Sequence, residues 1–179
     1  AHGTLTLNAD GTYTYVVDDT AVRGLDDGET AIDHFSYAVT DGVAISASST
    51  LTITVFGSND TPVAKADTNW AREDVHATID GNVILGGDHS SGDAGGHPPS
   101  GVFADVADTD ADVEALTVST VNGAAANVGQ AIYGAYGTLT LNADGTYIYV
   151  VDAAAVQGLD DGQTATDQFA YTVTDGTAT

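Results

Sequence analysis

Cysteine and methionine are absent from this 179-residue chain, and lysine plus arginine number only 3. Without cysteine no disulfide, iron–sulfur cluster or thiolate zinc site can form, so stability must come from a packed core and from any bound ions. Against those few cations stand 26 Asp and Glu, for a formal net charge of −23. A surface of that sign repels nucleic acid and anionic lipid, which excludes both as partners. The sequence also has no secretory signal pattern and no apolar run of bilayer-spanning length, so direct membrane insertion is not expected. An apolar content of 42% is ordinary for a folded protein and argues against disorder throughout.

What the chain does have is a repeat. Residues 3–42 read GTLTLNADGTYTYVVDDTAVRGLDDGETAIDHFSYAVTDG, and residues 137–176 read GTLTLNADGTYIYVVDAAAVQGLDDGQTATDQFAYTVTDG. The two blocks align without a gap at an offset of 134 positions and differ at only nine of forty. A fixed period of this kind belongs to arrays, stalks and spacers rather than to enzymes. It makes the chain a window of about one and a third periods on a larger array. Two units are expected: residues 1–58, the C-terminal part of one repeat lacking its first strands, and residues 59–179, the next repeat lacking its last strand. Gly57-Ser58-Asn59-Asp60-Thr61-Pro62 marks the break, because Pro62 pushes Thr61 toward extended geometry and ends strand pairing.

Alternation with a period of two dominates both blocks. Leu5 and Leu7, then Tyr13 and Tyr15, flank Asn8-Ala9-Asp10-Gly11, which reads as a β-hairpin with Gly11 at positive φ. Phe35, Tyr37 and Val39 alternate with polar or small residues, as do Leu51, Ile53 and Val55; the second block repeats the pattern at Phe169, Tyr171 and Val173. Ile79, Val83 and Leu85 suggest one further strand, and Leu116, Val118 and Val121 another. Helix is confined to a short turn at Thr20–Leu25 and its equivalent at Ala154–Leu159. Many short strands joined by Gly, Asp and Asn turns predict an all-β, antiparallel Greek-key sandwich in tandem repeats. Residues 86–101, rich in Gly, Ser, Pro and His, read as a long exposed loop. His89 and His97, with Asp88 and Asp93, offer a transition-metal alternative there, but a plain surface loop is the favoured reading. Trp70 is expected to pack against the sandwich end rather than stack on a sugar, and the strand tyrosines to be core or sheet-face residues.

The acids are nearly all Asp, whose short side chain favours turns where oxygens converge on a hard cation. Multiple Ca²⁺ sites are therefore favoured over mere surface acidity. The run Asp105, Asp108, Asp110, Asp112, Glu114 lacks the Gly and the terminal Glu spacing of an EF-hand, which is rejected. No nucleophile elbow, Walker loop, HExxH or nucleotide fingerprint is present, so the chain is not expected to be an enzyme.

The phrases GTLTLNADGTYTYVVD, AVRGLDDGET, FSYAVTDG, LTITVFGSNDTPVA and AREDVHATIDGNVIL resemble the VCBS repeats of giant bacterial surface proteins, which are cadherin-like, immunoglobulin-fold modules. The loop at 86–101 departs from that pattern. The resemblance implies an extracellular module of a bacterial cell-surface adhesin or biofilm matrix protein, of the RTX type exported by a type I system. A weaker similarity to animal cadherins touches their calcium motifs. Leu25-Asp26-Asp27-Gly28-Glu29 stands where cadherins carry Leu-Asp-Arg-Glu, although Gly28 intervenes and the second copy has Gln163 for Glu29. Val106–Asp110 resembles the Asp-x-Asp segment, Asp41 and Asp175 the acid near the end of the penultimate strand, and Ser58–Pro62 the linker between repeats.

That resemblance yields a candidate Ca²⁺ shell: Asp26 and Glu29 from the first unit, Asn59 and Asp60 from the linker, and Glu73, Asp108, Asp110 and Asp175 from the second unit. Ca²⁺ takes six to eight oxygens, which such a junction can supply. The function expected is a calcium-stiffened extender repeat whose partners are neighbouring repeats of the same array. The alternatives are a glycan- or protein-binding adhesive module and a strand-donating subunit of an extracellular filament, in which Ser48–Val55 completes a neighbouring copy.

Overall fold

The computed structural model describes residues 1–90 and 101–179. Contacts divide them into two units, one of residues 1–60 with 111–113 and one of residues 61–110 with 114–179. His97 and Asp93 lie outside the described residues, as does most of the long loop.

The first unit holds two antiparallel hairpins. Strands β1 (Gly3–Leu7) and β2 (Tyr13–Val17) pair from Gly3↔Val17 to Leu7↔Tyr13. Their connection closes through Gly11 at φ 87° and through Asp10 Oδ1, which accepts the Thr12 amide at 3.0 Å. This is the positive-φ turn that the sequence required. A single helical turn, α1 (Asp19–Val22), follows, capped by the Asp18 carboxylate on the Thr20 and Ala21 amides. Strands β3 (Thr30–Tyr37) and β4 (Ser49–Phe56) then pair over all eight residues, Thr30↔Phe56 to Tyr37↔Ser49. The Ser48–Val55 segment of the strand-donating alternative is, from Ser49 onward, paired within its own unit. The two hairpins are tied by Tyr15, whose ring meets Phe35 edge-on at 6.1 Å and whose hydroxyl donates to Asp33 Oδ2 at 2.8 Å.

The second unit contains β5 (Thr78–Asn82), the short pair β6 (Gly87–Asp88) and β7 (Ala104–Asp105), β8 (Thr117–Val121), β9 (Ala131–Tyr133), β10 (Gly137–Leu141), β11 (Thr146–Val151), a helical turn α2 (Ala153–Val156), and β12 (Tyr171–Thr174). One sheet runs β5-β11-β10-β9 and a second pairs β12 with β8, all antiparallel. Leu139, Leu141 and Tyr147 of the first sheet close on Val118, Val121 and Val173 of the second, with Val83 and Ile84, to form the core. An all-β, immunoglobulin-like sandwich is what the alternating pattern demanded. Trp70 is buried and its indole N–H donates to the His89 carbonyl at 2.7 Å, which leaves no sugar-stacking face.

One strand is shorter than its apolar pattern. The segment Ile79–Val83–Leu85 leaves the sheet after Asn82, whose Oδ1 accepts the amides of Ile84 (2.9 Å) and Leu85 (2.8 Å). That local side-chain turn outcompetes the ladder, so Leu85 is exposed while Val83 and Ile84 turn inward.

The repeat pair gives an internal control on burial. Leu7 is 43% exposed and its equivalent Leu141 2%; Val39 is 61% exposed and its equivalent Val173 3%. The residues are identical, and the hairpins that hold Leu7 and Leu141 have matching registers. The difference arises because Leu141 and Val173 lie against Val83, Ile84, Val118 and Val121 of their own unit.

Candidate metal centre

The acidic run between β7 and β8 is where the second unit gathers charge. Asp110 and Glu114 from that run and Asp175, in the turn after β12, offer carboxylate oxygens that all lie within 4.8 Å of one another. Asp175 is aimed by its own turn, its Oδ1 accepting the amides of Thr177 and Ala178. Between Asp112 and Glu114, Val113 takes φ 65°, a left-handed conformation that a β-branched residue rarely adopts. The chain turns there between the two acids.

In the first unit, Asp26 and Asp112 bring carboxylate oxygens within the same 4.8 Å. Asp112 Oδ2 also accepts the Asp60 amide at 2.6 Å. Asn59 donates from its side-chain amide to the Asp60 carbonyl at 2.7 Å.

Of the eight residues selected from the sequence, then, Asp110 and Asp175 come together and Asp26 joins a second cluster. Glu29 closes the Leu25–Glu29 turn, with Oε2 accepting the Asp26 amide at 3.3 Å. Gln163 makes the same bond to the Asp160 amide at 2.9 Å through its amide oxygen. The Glu-to-Gln difference between the copies is thereby explained: the turn needs an acceptor and not a charge. Asp60 contributes its backbone amide, as described. Glu73 sits in the tight Arg72–His76 turn beside Asp74 at φ 64° and is a member of neither cluster. Asp108 is buried elsewhere in the second unit; its Oδ1 accepts the Lys65 amide at 2.7 Å, and both its oxygens lie within 3.3 Å of the Tyr171 hydroxyl.

Asp112 and Glu114 belong to the same acidic run but lie past Val106–Asp110, the part of it that resembles the cadherin Asp-x-Asp segment. Their spacing from Asp110 was the available signal. A second set of acids is structural. Asp167 accepts the hydroxyl of Tyr149 at 2.7 Å and the amides of Ala135 and Tyr136 at 2.8 and 3.0 Å. Burial alone pushes its carboxyl up, but those donors outweigh it and hold Asp167 below the usual carboxylate range. Asp33 plays the same part with Tyr15 and the His2 amide. Asp105, whose side chain is fully buried, accepts from Tyr147 at 3.0 Å and from the Asn82 amide at 2.9 Å, and lies 2.8 Å from His89 Nε2. Asp67 accepts from Tyr171 (2.8 Å) and the Val106 amide (2.8 Å). Here burial prevails, with Asp105 and Asp108 adding like charge, and raises the Asp67 carboxyl.

Two family models match the chain. Residues 1–54 match a bacterial Ig domain, and residues 59–179, more than half of the chain, match the bacterial cadherin-like domain. The chain belongs to the bacterial cadherin-like domain family. No curated protein matches it with significant similarity. Both descriptions point to a structural or adhesive module. Among the described residues of this cadherin-like chain, no helix is long and apolar enough to cross a membrane.

The donor set of the cadherin-like unit fits a hard cation. Asp110, Glu114 and Asp175 supply oxygen only, with no thiolate or imidazole among them. Two oxygens on opposite sides of a Ca²⁺ ion are separated by about 4.6–5.2 Å, twice a bond of 2.3–2.6 Å, so a spacing within 4.8 Å is compatible. Solvent is also excluded from single oxygens of Asp110 (Oδ2), Asp112 (Oδ1), Glu114 (Oε2), Asn59 (Oδ1) and Glu73 (Oε2). Burying carboxylate oxygen is costly unless a positive charge meets it. Glu73 Oε2 has no hydrogen-bond partner among the described residues.

Proposed function

We propose that this chain is a calcium-stiffened extender repeat of a secreted bacterial cell-surface adhesin, of the VCBS and RTX kind, acting in cell adhesion or biofilm. The observation that carries the reading is the convergence of Asp110, Glu114 and Asp175 within one unit of a chain whose formal net charge is −23. A divalent cation held there cross-links the 110–114 segment to the turn after β12, segments far apart in sequence. Three carboxylates that repel one another when bare become a tie when neutralised. The repeats contribute length and stiffness, and a distal domain contributes adhesive specificity. No catalytic role is proposed.

Extracellular calcium modules bind with dissociation constants of roughly 0.1–1 mM. At a hundredfold excess of free ion one such site adds about 2.7 kcal/mol to the folded state. The test is thermal unfolding of the whole chain after chelation and again with added Ca²⁺ or Mg²⁺. A rise in Tm with Ca²⁺ that is lost in the Asp110→Asn/Glu114→Gln double variant supports the reading. A Tm indifferent to Ca²⁺ at millimolar concentration sinks it.

A further inference from the structure

The three carboxylates gathered in the second unit are placed by two different devices. Sheet register places Asp175 and Glu114: Thr174 pairs with Thr117, so the residue after β12 and the approach to β8 meet at one end of that ladder. Asp110 comes from another segment. Its neighbour Thr109 makes a two-bond bridge with Val63, at 2.8 and 3.2 Å, which holds the backbone extended there. Residues two apart in an extended chain share a face, so Asp108 and Asp110 move together.

Asp108 is where this segment touches β12. The hydroxyl of Tyr171 stands between two carboxylates, 2.8 Å from Asp67 Oδ2 and 3.2 Å from Asp108 Oδ1, with the Lys65 carbonyl at 2.9 Å. Asp67 is also held by the Val106 amide and Asp108 by the Lys65 amide, at 2.8 and 2.7 Å. Without the hydroxyl, a buried and a half-buried carboxylate face one another with no donor between them. Their repulsion then pushes on the segment that carries Asp108. Tyr171 lies on β12 four residues before Asp175, and Asp108 lies two residues before Asp110. One side-chain contact thus joins the two arms of the cluster.

We propose that Tyr171 and Asp108 are positioning residues of the candidate cation site, whose contact fixes Asp110 against Asp175 and Glu114 and so favours Ca²⁺ over Mg²⁺. The inference rests on the calcium reading above. It gives Asp108, a ligand on resemblance alone, a role behind the ligands instead. Ca²⁺ takes six to eight oxygens at 2.3–2.6 Å and draws on all three arms, whereas Mg²⁺ keeps several waters and needs only one or two carboxylates. The Asp175–Glu114 pair set by sheet register therefore serves Mg²⁺ without help from Tyr171. Ca²⁺ needs the third arm in place.

The test is calorimetric titration of the chelated whole chain with CaCl₂ and, separately, with MgCl₂, below the lowest Tm of the set. The native chain comes first: no Ca²⁺ uptake at millimolar concentration removes the calcium reading and this one with it. With uptake established, Tyr171→Phe keeps the ring and every charge. It should weaken Ca²⁺ binding about tenfold or more, the scale of a lost outer-shell partner, and leave Mg²⁺ within about threefold. Tyr149→Phe deletes a bond of the same kind, to Asp167 in the same unit, and should lower Tm in chelator without changing either affinity. Asp108→Asn keeps an acceptor for the Lys65 amide and the Tyr171 hydroxyl, and its lost charge weakens both ions alike. The ratio of Ca²⁺ to Mg²⁺ affinity should therefore stay native in Asp108→Asn; a collapsed ratio makes Asp108 a ligand and overturns its positioning role. Asp108→Ala removes the acceptor and should reproduce the Tyr171→Phe ratio, which keeps the test decisive if Tyr171→Phe does not fold. Native Ca²⁺ affinity in Tyr171→Phe, an equal loss for both ions, or the same Ca²⁺ loss in Tyr149→Phe overturns the proposal and leaves the calcium reading standing.

Discussion

The hydroxyl of Tyr149 donates to Asp167 at 2.7 Å, and 134 residues earlier that of Tyr15 donates to Asp33 at 2.8 Å. The same bond, made twice in one chain, joins the hairpin at the start of each repeated block to the segment near its end, residues 30–37 or 164–171. In each case a glycine makes room for the ring: a Cβ on Gly137 or on Gly3 collides with the Tyr149 or Tyr15 side chain. A tyrosine, an aspartate and a glycine spaced through forty residues thus form one locking device.

Removing the hydroxyl tests that lock. Tyr149→Phe deletes a hydrogen bond to a charged acceptor and should destabilise the second unit by about 1.5–3 kcal/mol. Denaturant unfolding followed by the exchange of second-unit core amides measures it. An effect below about 0.5 kcal/mol makes the bond incidental.

The paired glycine gives a steric counterpart. Gly137→Ala forces the Tyr149 ring from its seat, and overpacking of this kind costs about 1–3 kcal/mol. Combined with Tyr149→Ala, the same glycine substitution should lose the share of the cost that comes from the ring and keep the share that comes from the Val150 carbonyl oxygen, which a Cβ also meets at 2.5 Å. Additive costs in that double-mutant cycle count against the steric account.

Glu29 and Gln163 predict their own interchange. Because each closes its turn as an acceptor, Glu29→Gln should change stability by less than about 0.5 kcal/mol and leave any Ca²⁺-induced rise in Tm in place. Glu114→Gln should abolish most of that rise. If Glu29→Gln removes it instead, the ion is held through the Leu25–Glu29 turn.

Asp67 makes a pH prediction of definite sign. Burial raises its carboxyl above the usual value, so the folded state holds the proton more tightly than the unfolded chain. Well below pH 3.8 the group is neutral in both states. As pH climbs from there through the raised folded value, ionisation favours the unfolded chain and stability falls. Asp67→Asn should therefore gain stability relative to the native chain across that window and converge with it in acid. Urea melts at pH 3.5, 5 and 7 in chelator read the trend, and a gain confined to acid reverses the sign.

Tyrosine ionisation sets the alkaline limit. Burial first, then hydrogen bonding to Asp167, raises the Tyr149 hydroxyl well above its ordinary range, and burial does the same for Tyr147 and Tyr171. Stability contributed by these groups is intact below pH 10 and is lost as pH rises beyond it, because only the unfolded chain ionises freely. Unfolding monitored at pH 9 to 11.5 should steepen above 10, and less so in Tyr149→Phe.

Sequence alone was sufficient for the repeat, the two hairpins and the sandwich class. Each rests on period-two alternation and on turn chemistry within a few residues, as at Asn8–Gly11 with its φ of 87°. It also named Asp110 and Asp175, which stand in turns with recognisable local motifs. What it could not supply was the sorting of 26 acids into kinds, since identical carboxylates take opposite roles according to what folds against them. Tertiary packing put Asp167 and Asp33 under tyrosine hydroxyls, Asp108 under Tyr171, and Glu114 beside Asp110 and Asp175. Packing likewise made Leu141 core and left its twin Leu7 exposed. Burial and charge proximity belong to the assembled neighbours of a side chain, and those neighbours come from distant parts of the chain.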